Sequence, residues 1–562
     1  MSGERFGRVT TWRDHVVGLG LGVAYVALLL GTANTIGLAR DEGIYVQAAE
    51  RYAGWLSLLA RAPGEALTRN AIDSAFAFNH EHPPLLKLLF GLGHLTQRNL
   101  HPFTTDSLAF RFAGMLSAGV LLWVIYLFGT RLYGARAGLF AALIYALLPR
   151  PFYHAHLLAF DVPITCVMTA SVYTYYRSLE SPRGFGPLCG LVFGLALLTK
   201  HNSWFLPIMF GVHFTFCGLL EWRSRRRSGE RRLTLVPSAL LWMALLGPLV
   251  FFGGWPWLWH DTLPRLKAYA AFHMHHEYYN MEYFGVNYFW PPFPSSYAWV
   301  MTLFTVPLTT LVLGVGGAGR ALAVLRRSLF PAADGGNTQY DPTQPSLLVI
   351  GVLLTPLLAI SLPSTPIFGG TKHWFSAYPM LALLAGRAFE ELCHLLPQLK
   401  SRLQPLWALG LGGLLLAPAA VETAHSHPFA LSHYTAAAGG VPGAAEKGMN
   451  RQFWGFTTRS LVPFLRQALP NGGTLYVCDT IGSAFQMLIR DGHLPASFHI
   501  TGDIARADFA LVHHEKHFAE VDHQIWTTYG SVQPAHVLLY DGVPIISVYE
   551  NPRAPSRRTG TR

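Results

Sequence analysis

The sequence predicts a mostly α-helical polytopic membrane protein: a bundle of about eleven transmembrane helices with a small α/β domain outside the bilayer at the C-terminus. Three observations predict it. Hydrophobic residues fill 51% of the 562 positions and charged residues only 13%, against roughly 25% charged in soluble domains. The apolar residues are gathered into about eleven runs of near-spanning length, each compatible with the ~17–25 residues that cross the hydrocarbon core or with a shorter helix buried in a bundle. Beyond Glu422 the pattern changes to short alternating runs, which read as strands.

The first run is His15–Leu38, preceded by Arg5, Arg8 and Arg13. A retained span is expected rather than a cleaved signal peptide, because the run is long and no small-residue cleavage site follows it. Next come Phe112–Thr130, the shorter Ala135–Pro149, Val162–Tyr176, the shorter Gly184–Thr199, Ser203–Leu220 and Leu233–Trp259. Tyr297–Val315, Leu347–Leu362, Trp374–Phe389 and Leu403–Val421 complete the set. The net charge of +11 would suggest a nucleic-acid partner in a soluble protein. Here the basic residues cluster between particular spans: Arg131 and Arg136, Arg177 and Arg183, the run Glu221–Arg232, Arg320, Arg326 and Arg327, then Arg387, Lys400 and Arg402. Together with the N-terminal arginines they fall on one side of eleven alternating spans, and the positive-inside rule makes that side cytoplasmic. No nucleic-acid partner is expected; the surroundings are membrane lipids.

The bundle accordingly occupies residues 1–422 and the C-terminal domain 423–562. Two loops of the bundle fall on the non-cytoplasmic side, 39–106 and the aromatic- and histidine-rich 260–296, as does the C-terminal domain. Within the first loop GIYVQAAERYAGWLSLLA has the apolar spacing of an amphipathic helix, with Tyr52 and Trp55 suited to a membrane interface. In the C-terminal domain TLYVCDT, ADFALVHH and HVLLYDGVPIISVYE read as strands, and SAFQMLIRDG as a helix closing on Gly492. The five cysteines show no CxxC spacing, which supports neither a zinc site nor a disulfide framework. No internal repeat is visible, which weighs against a transporter of inverted repeats, and no glycine-rich nucleotide fingerprint stands between a strand and a helix.

Isolated ionisable residues near spans are costly and tend to face cavities. They gather here at the outward ends: Asp41 and Glu42 after the first span, Glu81 and His82 in FNHEHPPLLK, Asp161 in AFDVPITC, Lys200 in LLTKHNSW, and Lys372 and His373 in FGGTKHWF. Each alone reads more readily as an interfacial anchor. Together, from separate loops on one face, they predict a shared polar cavity. A carboxylate there can take a proton from an attacking hydroxyl, and cations can stabilise a phosphate leaving group. A transporter could use the same ingredients.

DEGIY, NHEHPPLLK, DVPIT, LALLTKHN and GGTKHWFSAYPMLALLAG together resemble the membrane glycosyltransferases of the GT-C superfamily. More narrowly they resemble family 39, the branch of the protein O-mannosyltransferases and aminoarabinose (ArnT-like) transferases. HPFALSHYTAAAGGVPGAAEKGMNRQFWG is similar to a stretch near the last span of bacterial members. The resemblance implies transfer of one sugar from a polyprenyl-phosphate carrier to a hydroxyl of a protein or lipid acceptor, with inversion. It implies the periplasmic face of a bacterial inner membrane. Asp41 or Glu42 would be the general base, with Asp41 the first choice. Lys200, Lys372 and Arg111 would contact donor phosphate or sugar, with Asp161 and His373 beside them. Where aminoarabinose transferases carry Arg and Lys, this chain has Ile44 and His82; a neutral hexose such as mannose is therefore expected. His82 could grip phosphate only when protonated, unless Lys87 takes that place. A divalent metal ion is the one candidate cofactor: Glu81 matches a metal-holding Glu of the aminoarabinose branch, and AFHMHHEYYN offers His273, His275 and His276, which read more readily as lining a polar loop over the membrane. The rival readings are a flippase for a lipid-linked glycan and a membrane scaffold.

Overall fold

The computed structural model describes residues 8–225, 236–329, 343–395 and 404–554. Arg5, Lys400, Arg402 and residues 226–232 of the arginine-rich run lie outside them. The chain forms a helical bundle capped by a five-stranded sheet.

Each expected apolar run becomes a helix. Four helical stretches, Trp12–Thr35, Asp106–Tyr133, Leu308–Arg327 and Pro405–Ser426, are long and apolar enough to cross a membrane, and shorter apolar helices such as Pro182–Leu197 and Ser238–Gly253 pack among them. Leu241, Leu245, Leu249, Leu409, Leu414 and Val421 stand exposed on the bundle surface, apolar area that lipid would cover. The central element is Asp106–Tyr133, which packs against Trp12–Thr32, Ala135–Ala146, Asp161–Glu180 and Tyr378–His394. It meets the first helix closely because Gly22 and Gly119 face each other. A Cβ on Gly22 would stand 2.6 Å from the Gly119 carbonyl oxygen, the small-residue contact that lets membrane helices approach. Some expected runs are interrupted: Trp374–Phe389 begins in the 3₁₀ stretch Gly370–Ala377, and Leu233–Trp259 ends in the 3₁₀ turn Pro256–Trp259. Tyr297–Val315 is two helices, Tyr297–Thr305 and Leu308–Leu329, separated at Val306 and Pro307, where proline removes a donor and disfavours helix in the residue before it.

Between the first two spanning helices, the amphipathic stretch forms helix Arg40–Arg61, followed by Arg69–Phe76 and Leu85–Leu100. Residues 260–296 give helix Thr262–Met274 and a hairpin, β1 (Met281–Tyr283) with β2 (Val286–Tyr288).

The C-terminal sheet contains β3 (Gly473–Val477), β4 (Phe498–Ile500), β5 (Phe509–His513), β6 (His536–Tyr540) and β7 (Val543–Glu550), in spatial order β4-β3-β5-β7-β6. β3 is parallel to both β4 and β5, and β7 runs antiparallel to β5 and β6. Helix Gly482–Arg490 connects β3 to β4 and ends two residues before Gly492, whose φ of +73° suits glycine. The chain leaves β3 on one side for β4 and returns on the other for β5. The carboxyl ends of β3 and β5 therefore flank the switch point at which open α/β sheets bind ligands. That end faces the bundle: Ala484 and Met487 pack with Val46, Ala49 and Phe160, and Arg490 pairs with Glu50 at 2.6 Å and Asp106 at 2.8 Å.

Candidate active site

A cavity of about 1020 Å³ lies where the outer-loop helices, the bundle ends and the strand ends of the sheet meet. Asp41 reaches it from the first turn of helix Arg40–Arg61, where the helix dipole favours a carboxylate. Arg40 Nε lies 3.5 Å from Asp41 Oδ1, and Lys372 Nζ lies 3.7 Å from Oδ2. Lys372 follows a turn with Gly369 and Gly370 in left-handed backbone, φ +65° and +69°. A Cβ on Gly369 would stand 2.8 Å from Lys372 Cε and 2.7 Å from the Trp454 ring, so the turn needs glycine both for its backbone and to let the lysine pass. The ammonium sits 4.1 Å from the centre of the Trp454 ring. Burial pushes Lys372 down to about 8, opposed by the nearby charges of Asp41 and Asp161.

A second pair stands deeper. Asp161, at the start of helix Asp161–Glu180, accepts from Lys200 Nζ at 2.9 Å and lies 3.3 Å from His154 Nδ1. The cavity thus gathers Asp41, Glu42, Glu81, His82, Asp161, Lys200, Lys372 and His373, drawn from five separate stretches of the sequence. Met168, Phe205, Met209, Val352, Pro356 and Ile360 give it an apolar flank on the bundle side.

Three residues expected to touch substrate are occupied otherwise. Glu42 borders the same cavity beside Asp41 but is almost fully buried, and its carboxylate accepts four hydrogen bonds: from Arg111 Nε and Nη2, both 2.8 Å, from Leu158 N at 2.8 Å and from Ala39 N at 2.7 Å. Four is the full complement of a carboxylate. Arg111 donates besides to the carbonyls of Ile36 and Gly37 at 3.0 and 2.8 Å and is absent from the cavity wall. Lys87 is also away from that wall. It donates to the carbonyls of Asn79 and His82 and lies 5.1 Å from the centre of the Tyr52 ring, closing the turn from Asn79 to His82. His82 remains on the cavity, but burial and the neighbouring lysines Lys87 and Lys200 hold its imidazole well below the usual range. It is therefore neutral at neutral pH, and neither His82 nor Lys87 offers a cation to the cavity as the sequence suggested. His373 Nε2 lies 2.5 Å from the Phe368 carbonyl oxygen and braces the turn.

The metal candidates do not converge. Glu81 Oε1 accepts from Asn79 Nδ2 at 2.6 Å, His275 Nδ1 lies 3.2 Å from the Ala271 carbonyl and His276 Nδ1 lies 2.7 Å from the Glu277 carbonyl. Among the described residues no three His, Cys, Asp or Glu side chains form a metal-holding group.

Several wall residues were not singled out from sequence: Arg40, Tyr45, His201, Asn450, Glu515 and His517. Arg40 adjoins the acidic pair and could have been flagged. Glu515 and His517 lie in HHEKH, which lacks the HExxH spacing of a zinc site and reads from sequence as a strand end; the switch-point geometry of the sheet brings them here.

Residues 81–252 match the family model described as dolichyl-phosphate-mannose-protein mannosyltransferase. Among solved structures the chain is similar to the archaeal oligosaccharyltransferase AglB from Archaeoglobus fulgidus, in complex with an inhibitory peptide and a dolichol-phosphate, at TM-score 0.50 and 10% identity over 93% of this chain and 72% of that one. It is also similar to ArnT from Cupriavidus metallidurans in the apo state, at TM-score 0.49 and 15% identity over 96% and 99% of the two chains. The same ArnT bound to undecaprenyl phosphate gives TM-score 0.46 and 16% identity over 97% and 99%. No match is found among curated protein sequences. The resemblance read from the scattered motifs is borne out.

Proposed function

We propose that this chain, which has the fold of the GT-C membrane glycosyltransferases, moves a hexose, mannose in the first instance, from a polyprenyl phosphate to a hydroxyl acceptor with inversion. The observation that carries the reading is the cavity itself: one carboxylate, Asp41, held between two cations at ion-pair but not hydrogen-bond distance, with an apolar flank open beside them. The isoprene tail would lie against Met209, Val352 and Ile360, and its phosphate would reach Lys372 and Lys200.

Asp41 takes the proton of the acceptor hydroxyl as that oxygen attacks the anomeric carbon. The bond from that carbon to the phosphate oxygen breaks, and polyprenyl phosphate leaves with the bonding pair. Lys372 and Lys200 stabilise the charge that grows on the phosphate, in a site where water is scarce and such interactions are strong. Glu42, whose four acceptor positions are filled, is left out of the proton transfer and holds Arg111 and the backbone of the helix entry. The basic runs support a placement with the cavity and the sheet domain on the periplasmic side of a bacterial inner membrane. The acceptor is a hydroxyl of a protein Ser or Thr, or of a glycolipid.

The test is purified protein in lipid nanodiscs, given radiolabelled mannosyl-phosphoundecaprenol and a cell-envelope extract. Labelled product from the wild type and none from Asp41→Asn supports the reading. Absence of transfer from the mannosyl donor, with transfer from an aminoarabinosyl donor, would replace mannose; absence with every polyprenyl donor would overturn the function.

A further inference from the structure

The sheet domain joins the cavity through a contact that the transfer chemistry leaves unexplained. Asp479 stands two residues beyond β3 and Glu515 two beyond β5, at the switch point of the sheet. Asp479 Oδ1 accepts from Arg40 Nη1 at 2.9 Å, while the same guanidinium keeps its Nε 3.5 Å from Asp41. The backbone N–H of Arg40 donates to the Trp454 carbonyl at 2.8 Å, so the first turn of helix Arg40–Arg61 is tied to the C-terminal region at main chain and side chain alike. Asp479 Oδ2 is buried on the side of the Gln452 side chain. Gln452 Nε2 donates to Glu515. A buried carboxylate is costly to keep, and this one is ion-paired with the arginine next to the proposed base.

We infer that Asp479 is a positioning residue for the transfer: it draws Arg40 away from Asp41 and so leaves the Asp41 carboxylate free to take the acceptor's proton. The inference rests on the transfer reading. With Asp479 in place, Arg40 is shared, and its hydrogen bond goes to the sheet domain. Without that anion the guanidinium closes on Asp41 as a direct ion pair, and the carboxylate becomes a weaker base. The groups that face this pair come from every neighbouring element: Lys372, Tyr45, Tyr279 and Asp161 around Asp41, and Glu515, His513 and His517 around Arg40. Burial and the adjoining carboxylates hold both Asp479 and Glu515 above the ordinary carboxylate range, against the pull of Arg40. Acid therefore weakens the clamp in the same way as removing the charge.

The test compares wild type, Asp479→Asn, Asp479→Glu and Arg40→Ala in transfer assays from pH 5 to 9. Asp479→Asn, nearly isosteric, is expected to lower kcat about tenfold, a fraction of the ~10²–10⁴ that a placed base supplies, with donor KM unchanged. It is also expected to move the acid limb of the kcat profile to lower pH. Arg40→Ala should move that limb to higher pH, and Asp479→Glu should restore part of the rate. An unchanged profile in Asp479→Asn, or limbs that shift in the same direction in both variants, would overturn the inference. A cryo-EM structure of Asp479→Asn decides it independently of any transfer: Arg40 should move to hydrogen-bond distance of Asp41, and an Arg40 left in its wild-type position would overturn it. A wild type that transfers nothing refutes the function, and the structure of the variant still reports on Arg40.

Discussion

The two consecutive carboxylates in the first turn of helix Arg40–Arg61 both border the cavity, yet they meet their cations differently, one sealed among donors on its inner side and one open to the cavity in front. Behind, Glu42 is sealed with Arg111 and every acceptor position is filled. In front, Asp41 is partly exposed, with Arg40 and Lys372 at 3.5 and 3.7 Å. The helix makes this split, because successive residues point about 100° apart and a single turn can serve two environments. A closed pair resists change and supports the fold; an open one has capacity left for a substrate proton. The difference between structural and chemical carboxylates here lies in unfilled acceptor positions.

The comparison can be broken most forcefully from behind. Glu42→Ala strands a buried guanidinium, which should cost about 3–5 kcal/mol; thermal melting of detergent-solubilised protein reads it, and a melting temperature within error of wild type would mean the pair is dispensable. In front, Lys372→Met should lower transfer by about 10²-fold, as the loss of one preorganised charge at a developing anion does, while leaving the melting temperature near wild type. The sign of its pH dependence follows from the lowered value: protonated below about 8, Lys372 loses its charge as pH rises through that point. Donor binding by the wild type should weaken above pH 8, and Lys372→Met should show no such alkaline limb. Lys87→Met tests a residue that belongs with the closed side. It should cost about 1–3 kcal/mol through the stranded carbonyls of Asn79 and His82, with donor affinity altered less than by Lys372→Met in equilibrium binding of undecaprenyl phosphate. The smallest effect is expected at the rim, where Arg490→Ala removes partly exposed pairs to Glu50 and Asp106 worth about 0–1 kcal/mol; melting again reports it.

Much of the bundle was legible because membrane helices announce themselves by composition. Residues 184–199 and 135–149, among the shorter runs, still form helices, whereas Tyr297–Val315 reads as continuous and is split at Pro307. The strands TLYVC, FALVH and the β6–β7 hairpin were visible from alternation, but β4, three residues long, carries too little pattern to register. Convergence of the cavity residues was legible as a side of the membrane, since charges at outward span ends have few places to go. Their division was not. Asp41 and Glu42 look alike in sequence, and only the arrival of Arg111 from another helix, and of the backbone N–H of Leu158, separates them. The place of Lys87 is hidden for a related reason: sequence spacing puts a lysine near the cavity but does not reveal that the carbonyls of Asn79 and His82 claim its ammonium.

The account stands most directly on one paired measurement, sugar transfer from mannosyl-phosphoundecaprenol by Asp41→Asn and Glu42→Gln, each checked for folding and for binding of undecaprenyl phosphate. Asp41→Asn should remain folded, bind the lipid phosphate and lose transfer by about 10²–10⁴-fold, while Glu42→Gln should lose stability and keep transfer in whatever fraction remains folded. Transfer at the wild-type rate by Asp41→Asn, or its abolition in well-folded Glu42→Gln, would contradict it.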